Sequence, residues 1–543
     1  MLISDSCLTS AFLWRVPLVL VVCGLCGLPL SNAQPGSPPA RGDVVYQNTF
    51  DQTNALRGWQ GSGGLEPGYQ SDHALAVERR LDAPAHASSM VLRLPADQVR
   101  GCTVRATVMV RAENVSAKPN PWNGIKFMLA LEAPNGRSWP QAEIGTGGFD
   151  WKRVAFSAHI PPAATNVSLV LGLEEVAGKV WFDDVKLVVA KAPIIVRPRR
   201  LTGAPFKGHD LPRLRGAMVS SSINADSLRV FGQEWNANLI RWQLTRHGRP
   251  GQPSSLTDYD LWLEGELAKL DAALPLCRKY GLYVVVDLHS PPGGKATSGG
   301  YTGSDDRLFT DRGCQDKFVN VWQRIAARYK DTVGIWGYDL VNEPVEDLVE
   351  EGCDDWQGLA ERAAKSIRAI DPDRTLIVEP ASWGGPDGLN DLVPLNVSNV
   401  VYSVHMYIPH AFTHQGVYQS RREYRYPGMI DGQSWDKAKL EEALQPVIDF
   451  QKNYGVAIYI GEFSAIRWAP DHSAYRYLQD LTDIFEAHDW DWTYHAFREW
   501  SGWSVEHSGD RQDTAPTAEP TDRQQWLRAW FAKNQKPPWS VAK

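Results

Sequence analysis

From His209 onward, eight short apolar runs alternate with helix-like stretches. The runs cover residues 214–220, 239–244, 283–289, 335–341, 375–379, 400–407, 457–463 and 492–497. Helix-like segments occupy 261–280, 317–329, 356–370, 437–454 and 475–488. A run that is apolar along its whole length must be covered on both faces, and helical crossovers provide that cover. Eight such units predict an α/β fold, a closed parallel (β/α)8 TIM barrel over residues 209–535. A doubly wound open sheet is the competitor. The strand count favours the barrel, and no Gly-rich phosphate loop follows the first strand.

The period changes upstream. In Val104, Ala106, Val108 and Val110 the apolar residues alternate with Arg105, Thr107, Met109 and Arg111. Residues 125–131 and 154–160 repeat that alternation. Strands with one buried face, separated by Gly, Pro and Asn turns, predict an all-β jelly-roll sandwich over residues 43–190. Residues 34–42 read as a linker, 191–208 as a Pro-rich connector and 536–543 as a tail. Arg15 precedes an apolar stretch at 16–30, and Ser31-Asn32-Ala33 offers a small-residue cleavage site, so residues 1–33 read as an export signal. The stretch is short and interrupted by Pro17 and Pro29, so no membrane anchorage is expected after cleavage. The expected location is secreted, periplasmic or at the cell surface.

A net charge of −7 without a long basic block argues against a nucleic-acid partner. The 22 tryptophans instead suggest flat apolar partners such as sugar rings, with Trp59, Trp122 and Trp139 in loop-like sequence. Cys102, Cys277, Cys314 and Cys353 show no CxxC spacing, which argues against zinc. In an exported chain Cys314 and Cys353 would be available for a disulfide.

The chemistry of such a barrel sits at the C-terminal strand ends. Read in order, those ends carry Arg241, His289, Asn342-Glu343, Glu379, His405 and Tyr407, Glu462, and finally His495, Glu499 and Trp500. Strands 4 and 7 lie across the ring, and each presents a glutamate. Two carboxyls about 5 Å apart suit retaining glycoside hydrolysis, in which one donates a proton and the other attacks the anomeric carbon. Glu379 reads as a supporting group, and Asp287 as structural.

G-Y-D-L-V-N-E-P (337–344), V-H-M-Y (404–407) and I-G-E-F (460–463) resemble family 5 of the glycoside hydrolases, the cellulase-like retaining barrels. The resemblance covers residues 209–534. It implies Glu343 as acid/base and Glu462 as nucleophile. It implies Asn342 on the sugar 2-hydroxyl, Arg241 keeping Glu462 ionised, Tyr407 bonded to the nucleophile, and His289 and His405 lining the subsite. No cofactor is implied for catalysis. The family places a tryptophan platform at the end of strand 8. Here His495 or Phe497 falls near that position, and Trp500 supplies the platform only if the strand end bends. The upstream region resembles the carbohydrate-binding modules of secreted glycosidases. That implies a possible structural calcium near Asp183 or Asp184. The expected enzyme is a monomeric endo-β-1,4-glucanase acting on polysaccharide or oligosaccharide. β-Mannanase, β-1,3-glucanase and a non-catalytic carbohydrate-binding protein are the alternatives. The stretch His410–Gly416 is expected to shape the cleft.

Overall fold

A computed structural model describes residues 39–80, 88–198, 203–246, 255–294, 307–417 and 422–540. The expected signal segment, residues 1–33, lies outside the described residues.

The upstream region forms two antiparallel sheets packed face to face. The six-stranded sheet runs in the order Gly64–Glu66, Ala74–Arg79, Gly178–Lys191, Thr103–Val115 and Gly147–His159, with Val44–Asn48 also pairing with Gly178–Lys191. The five-stranded sheet runs Trp59–Gly61, Ser88–Leu94, Asn166–Glu174, Gly124–Ala133 and Gly136–Ser138. The period-2 pattern decides which side is buried. Val104, Ala106, Val108 and Val110 from one sheet join Ile125, Phe127, Leu129 and Leu131 from the other in one core. Asp183 tethers a loop: one carboxylate oxygen accepts from the Tyr69 N–H (2.7 Å) and the Ser71 hydroxyl (2.5 Å), and the other from the Asp184 N–H (2.7 Å). Among the described residues no group of three His, Cys, Asp or Glu side chains gathers around Asp183 and Asp184.

Downstream, eight parallel strands close on themselves. Barrel strands 1 to 8 are Arg215–Ser220, Leu239–Gln243, Tyr283–Asp287, Ile335–Asp339, Thr375–Val378, Val400–Met406, Ile458–Phe463 and Asp491–Tyr494. Strand 1 pairs with both strand 2 and strand 8, which closes the ring. Gly216 lets strand 1 lie close against strand 2, because a Cβ there would lie 1.8 Å from the Leu239 carbonyl oxygen. One end of the ring is plugged by a small cluster of its own that includes Leu214, Leu239, Val285, Trp336 and Tyr459. Lys207 and His209 reach the barrel wall from the connector. The Trp336 indole donates to the Lys207 carbonyl (2.9 Å), and His209 bonds Asp491 (2.8 Å).

Local signals set the helix ends. Ser255 caps Leu256–Tyr280 and Gly281, at φ +70°, ends it. Asp311 caps Arg312–Tyr329, and Asp355 caps Trp356–Arg368. The expected helix over 437–454 is two helices, Lys437–Ala443 and Gln445–Tyr454. Pro446 is the reason: it lacks an N–H and its ring clashes with the preceding turn, so it starts a helix instead of continuing one. A final helix, Asp522–Phe531, follows strand 8 and completes the strand–helix alternation; its Phe531 ring stacks on Trp492 at 5.8 Å. The disulfide considered for Cys314 and Cys353 is not formed; both are buried, as are Cys102 and Cys277. Cys314 begins the helix at 312–329, against Gly293, whereas Cys353 sits in the loop before the next helix. No described helix is long and apolar enough to cross a membrane.

Candidate active site

The mouth of the barrel is organised around one buried guanidinium. Arg241, fully buried on strand 2, donates to Glu462 Oε1 (2.6 Å), Asp339 Oδ2 (2.9 Å), Glu379 Oε1 (2.9 Å) and Asn342 Oδ1 (3.1 Å). Its Nη2 also lies 3.1 Å from Asp287 Oδ1. A buried charge must be paired, and this one is paired by groups from or just beyond strands 3, 4, 5 and 7. Burial opposes its charge, but Asp287, Asp339, Glu379 and Glu462 outweigh burial and hold its pKa well above the ordinary arginine value. Burial, the larger influence on Asp339, pushes that carboxyl well above the usual range despite Arg241.

Just past strand 4, Glu343 adopts φ +46°, the left-handed region that non-glycine residues avoid. Such a conformation costs on the order of 1–3 kcal/mol and persists only where the surroundings enforce it. Here the Glu343 N–H donates to Glu379 Oε2 (2.8 Å), and the Trp383 N–H donates to the Pro344 carbonyl (3.3 Å). The abrupt strand end, with a proline immediately after it, turns the Glu343 side chain toward the mouth. Its side chain is 21% exposed, against 4% for Glu462. One glutamate faces solvent and the other is enclosed.

His405 on strand 6 links the two. Its Nδ1 lies 2.9 Å from Glu343 Oε1 and 3.7 Å from Glu462 Oε2, and its Nε2 lies 3.1 Å from Glu379 Oε1. Gly461 leaves room for that ring, since a Cβ at 461 would sit 2.9 Å from His405 Nε2. Burial works against a charged ring, but Glu379, Glu462 and Glu343 raise the His405 pKa well above its ordinary value. One oxygen from each of Glu343 and Glu462 and one His405 ring nitrogen lie within 4.8 Å of one another. Among the described residues this is the one group with the makings of a metal site. His405 lies within hydrogen-bond reach of both Glu343 and Glu379, so the trio is suited to moving protons.

Glu462 is surrounded by donors. Tyr407 donates its hydroxyl to Oε2 (2.9 Å), and His495 Nδ1 lies 3.2 Å from the same oxygen. Tyr407 and His495 also bond each other. His495 Nε2 in turn contacts Glu499 at 3.3 Å. Burial disfavours a charged His495, yet Glu462 and Glu499 push it up to about 10. Burial alone would raise the Glu462 pKa, but His405, His495 and Arg241 together hold it well below the ordinary carboxylate range. Glu462 is an ionised, pre-aimed carboxylate.

The structure therefore brings Arg241, Asn342, Glu343, His405, Tyr407 and Glu462 together. His289 bonds Asp287 Oδ2 (2.8 Å) and is almost fully buried at the same mouth. Trp500 lies at the rim against Trp468 and Trp503, with ring centroids 6.1 and 5.4 Å away. Strand 8 ends at Tyr494, so the side chain that reaches the nucleophile is His495. Sequence reasoning left three groups without a specific role: Asp339, Glu379 as a buried hub and Glu499. Asp339 carried a usable signal, a carboxylate inside an apolar run, as did Asp287. His410 and His414 stack at 3.8 Å, and His414 packs edge-on against Tyr407 and Trp503. With Gln415, Arg422, Tyr424 and Asp431 they line a cavity of about 310 Å³.

Comparison with known proteins adds the following. A sequence model of the cellulase family, glycosyl hydrolase family 5, matches residues 201–507. Endoglucanase C of Acetivibrio thermocellus is 29% identical over 254 residues, spanning 42% of this chain and 71% of that protein. Cellodextrinase A of Ruminococcus flavefaciens is 25% identical over 233 residues, spanning 42% and 66%. A mutant form of Thermotoga maritima Cel5A, solved in complex with cellobiose, is 25% identical, with a TM-score of 0.46 over 60% of this chain and 99% of that one.

Proposed function

We propose, from the premise that this chain belongs to the cellulase family, glycosyl hydrolase family 5, that it is a retaining endo-β-1,4-glucanase working by double displacement. The chain is a glycoside hydrolase; the linkage, the endo action and the stereochemical course are the proposal. One observation carries it. Two glutamates, one part-exposed at the mouth and the other enclosed among donors, have carboxylate oxygens within 4.8 Å of each other. That spacing is shorter than the separation an inverting pair needs to place a water against the sugar, and it suits direct attack.

In the first step Glu462 attacks the anomeric carbon. Glu343 gives its proton to the leaving glycosidic oxygen, so the bond breaks with a neutral hydroxyl departing. His405 occupies Glu343 Oε1, which leaves the other oxygen for the proton. In the second step Glu343, now ionised, takes a proton from water. The oxygen of that water displaces Glu462, and the product keeps its anomeric configuration. Arg241, Tyr407 and His495 accept the return of charge on Glu462 without moving.

Glu343→Ala tests the acid role. We expect hydrolysis of unactivated β-glucan to fall about 10²–10⁴-fold. Aryl glycosides with good leaving groups, which need no proton donor, should form the glycosyl–enzyme at near wild-type rates. Equal losses on both would remove Glu343 as the acid. Anomeric NMR on a panel of β-1,4-glucan, β-mannan and β-1,3-glucan reports linkage and stereochemistry together. Inverted product would sink the double displacement, and cleavage of another glycan would reassign the substrate.

We further propose export as a monomer, with the sandwich binding glycan. Trp122 and Trp139 are exposed, at 62% and 56%. Between them lies a fixed polar patch in which Lys126 pairs with Glu174 (2.7 Å) and bonds Gln141 (3.0 Å). Exposed indoles beside ordered polar groups suit a sugar face and its hydroxyls. Replacing both tryptophans with alanine should lower retention on insoluble cellulose about tenfold, consistent with about 1.4 kcal/mol, while turnover of soluble oligosaccharides is unchanged. Unaltered retention would count against the sandwich as a glycan-binding module.

A further inference from the structure

The chain that leaves Glu343 does not pass directly into its helix. Residues 345–355 first run along the six-stranded sheet of the sandwich, and basic side chains from that sheet and the segment before it hold them there. Lys191 pairs with Glu346 (2.5 Å), three residues past Glu343, and the Glu346 side chain is only 5% exposed. Arg105 donates to the Val349 carbonyl (2.9 Å). Arg153 grips Glu350 with two hydrogen bonds of 2.8 and 3.1 Å. Arg41 donates to the Cys353 carbonyl (2.9 Å) and contacts Asp355, the cap of the helix at 356–368, at 3.2 Å.

These are not scattered surface pairs, which are individually worth little. Arg105 and Glu346 are buried. Glu346 Oε2 also accepts from the Trp356 N–H (2.5 Å), and the Trp356 indole donates to the Glu379 carbonyl (2.7 Å). Glu379 in turn fixes the strained Glu343 backbone. A continuous chain of bonds thus runs from Lys191 through Glu346, Trp356 and Glu379 to Glu343. Burial opposes the charge on Lys191, but Glu346 foremost, then Asp355 and Asp391, raise its pKa above the ordinary lysine value.

We propose that the sandwich is a positioning element for the proton donor, with Lys191 and Arg153 holding the loop that sets Glu343. The inference rests on the reading of Glu343 as acid/base. A displacement near 1 Å at a catalytic group costs about 100-fold in rate. The sandwich therefore contributes to kcat although it holds no reacting group.

The test uses the full chain. Lys191→Glu should lower kcat on cello-oligosaccharides about 10- to 100-fold, with KM little changed and with the rate of glycosyl–enzyme formation from aryl glycosides of good leaving groups nearly unaffected. Lys191→Arg should restore most of the loss. Arg153→Glu, at an exposed pair that the fold tolerates, should show the same selectivity in weaker form and supplies the readout if Lys191→Glu does not fold. Restoration by Arg153→Glu combined with Glu350→Arg completes the support. Wild-type kcat in the folded variants, or losses equal for both leaving-group classes, would overturn the proposal. Glu343→Ala in the same assays separates the two readings. If it is leaving-group selective and the loop variants are not, the positioning role alone fails; if it is unselective, the acid assignment fails.

Discussion

Glu462→Ala is expected to lower turnover of β-glucan by about 10⁴-fold or more and to leave the far-UV circular dichroism unchanged. The carboxylate is the group that bonds to the sugar, so without it the first displacement has no nucleophile. The surroundings would survive its loss. Arg241 keeps Asp287, Asp339 and Glu379, and His495 keeps Glu499. The gap left beside Arg241, Tyr407 and His495 is lined by donors, so azide should enter it and attack the anomeric carbon of an activated aryl β-glycoside. The product would be the α-glycosyl azide. Its appearance by NMR, at rates rising with azide concentration, identifies Glu462 as the nucleophile. Wild-type turnover, or a β-azide, would dismiss it.

The second large effect concerns stability. Arg241→Met removes the guanidinium that Asp287, Asp339, Glu379 and Glu462 share. Breaking a buried pair from one side costs about 3–5 kcal/mol, because the charges left behind have lost their counter-ion. The sign with pH follows. In the variant Asp339 and Glu462 lose the guanidinium that lowers their pKa values, so their folded-state values rise and the folded chain holds protons to higher pH. The deficit is largest at neutral pH and shrinks as pH falls and those carboxyls protonate. Urea titrations followed by near-UV circular dichroism at two pH values would read it. A deficit that is constant with pH would assign the loss to packing instead of charge.

The barrel was legible because its strands are buried on both faces and announce themselves as apolar runs. Glu343 and Glu462 were legible because each ends such a run. What the sequence did not disclose lies in long-range pairing. Asp339 and Glu379 have no local partner; they meet Arg241 across 98 and 138 residues of chain. His495 could not be placed from spacing alone, since its inward turn depends on strand 8 ending at Tyr494. Arg105 reads as part of a polar sheet face and Lys191 as the start of a connector, while Arg153 carries no signal of its own. Only the fold shows that this face is occupied by the loop beyond Glu343.

The ring of strands also governs when competence appears during refolding. Arg241 and Glu462 are separated by 221 residues, and the wall joining them closes only when strand 8 meets strand 1. No shorter fragment holds both the guanidinium and the carboxylate against each other. A chain regaining its native state should therefore recover secondary structure early and hydrolytic rate late, in a single step that coincides with ring closure.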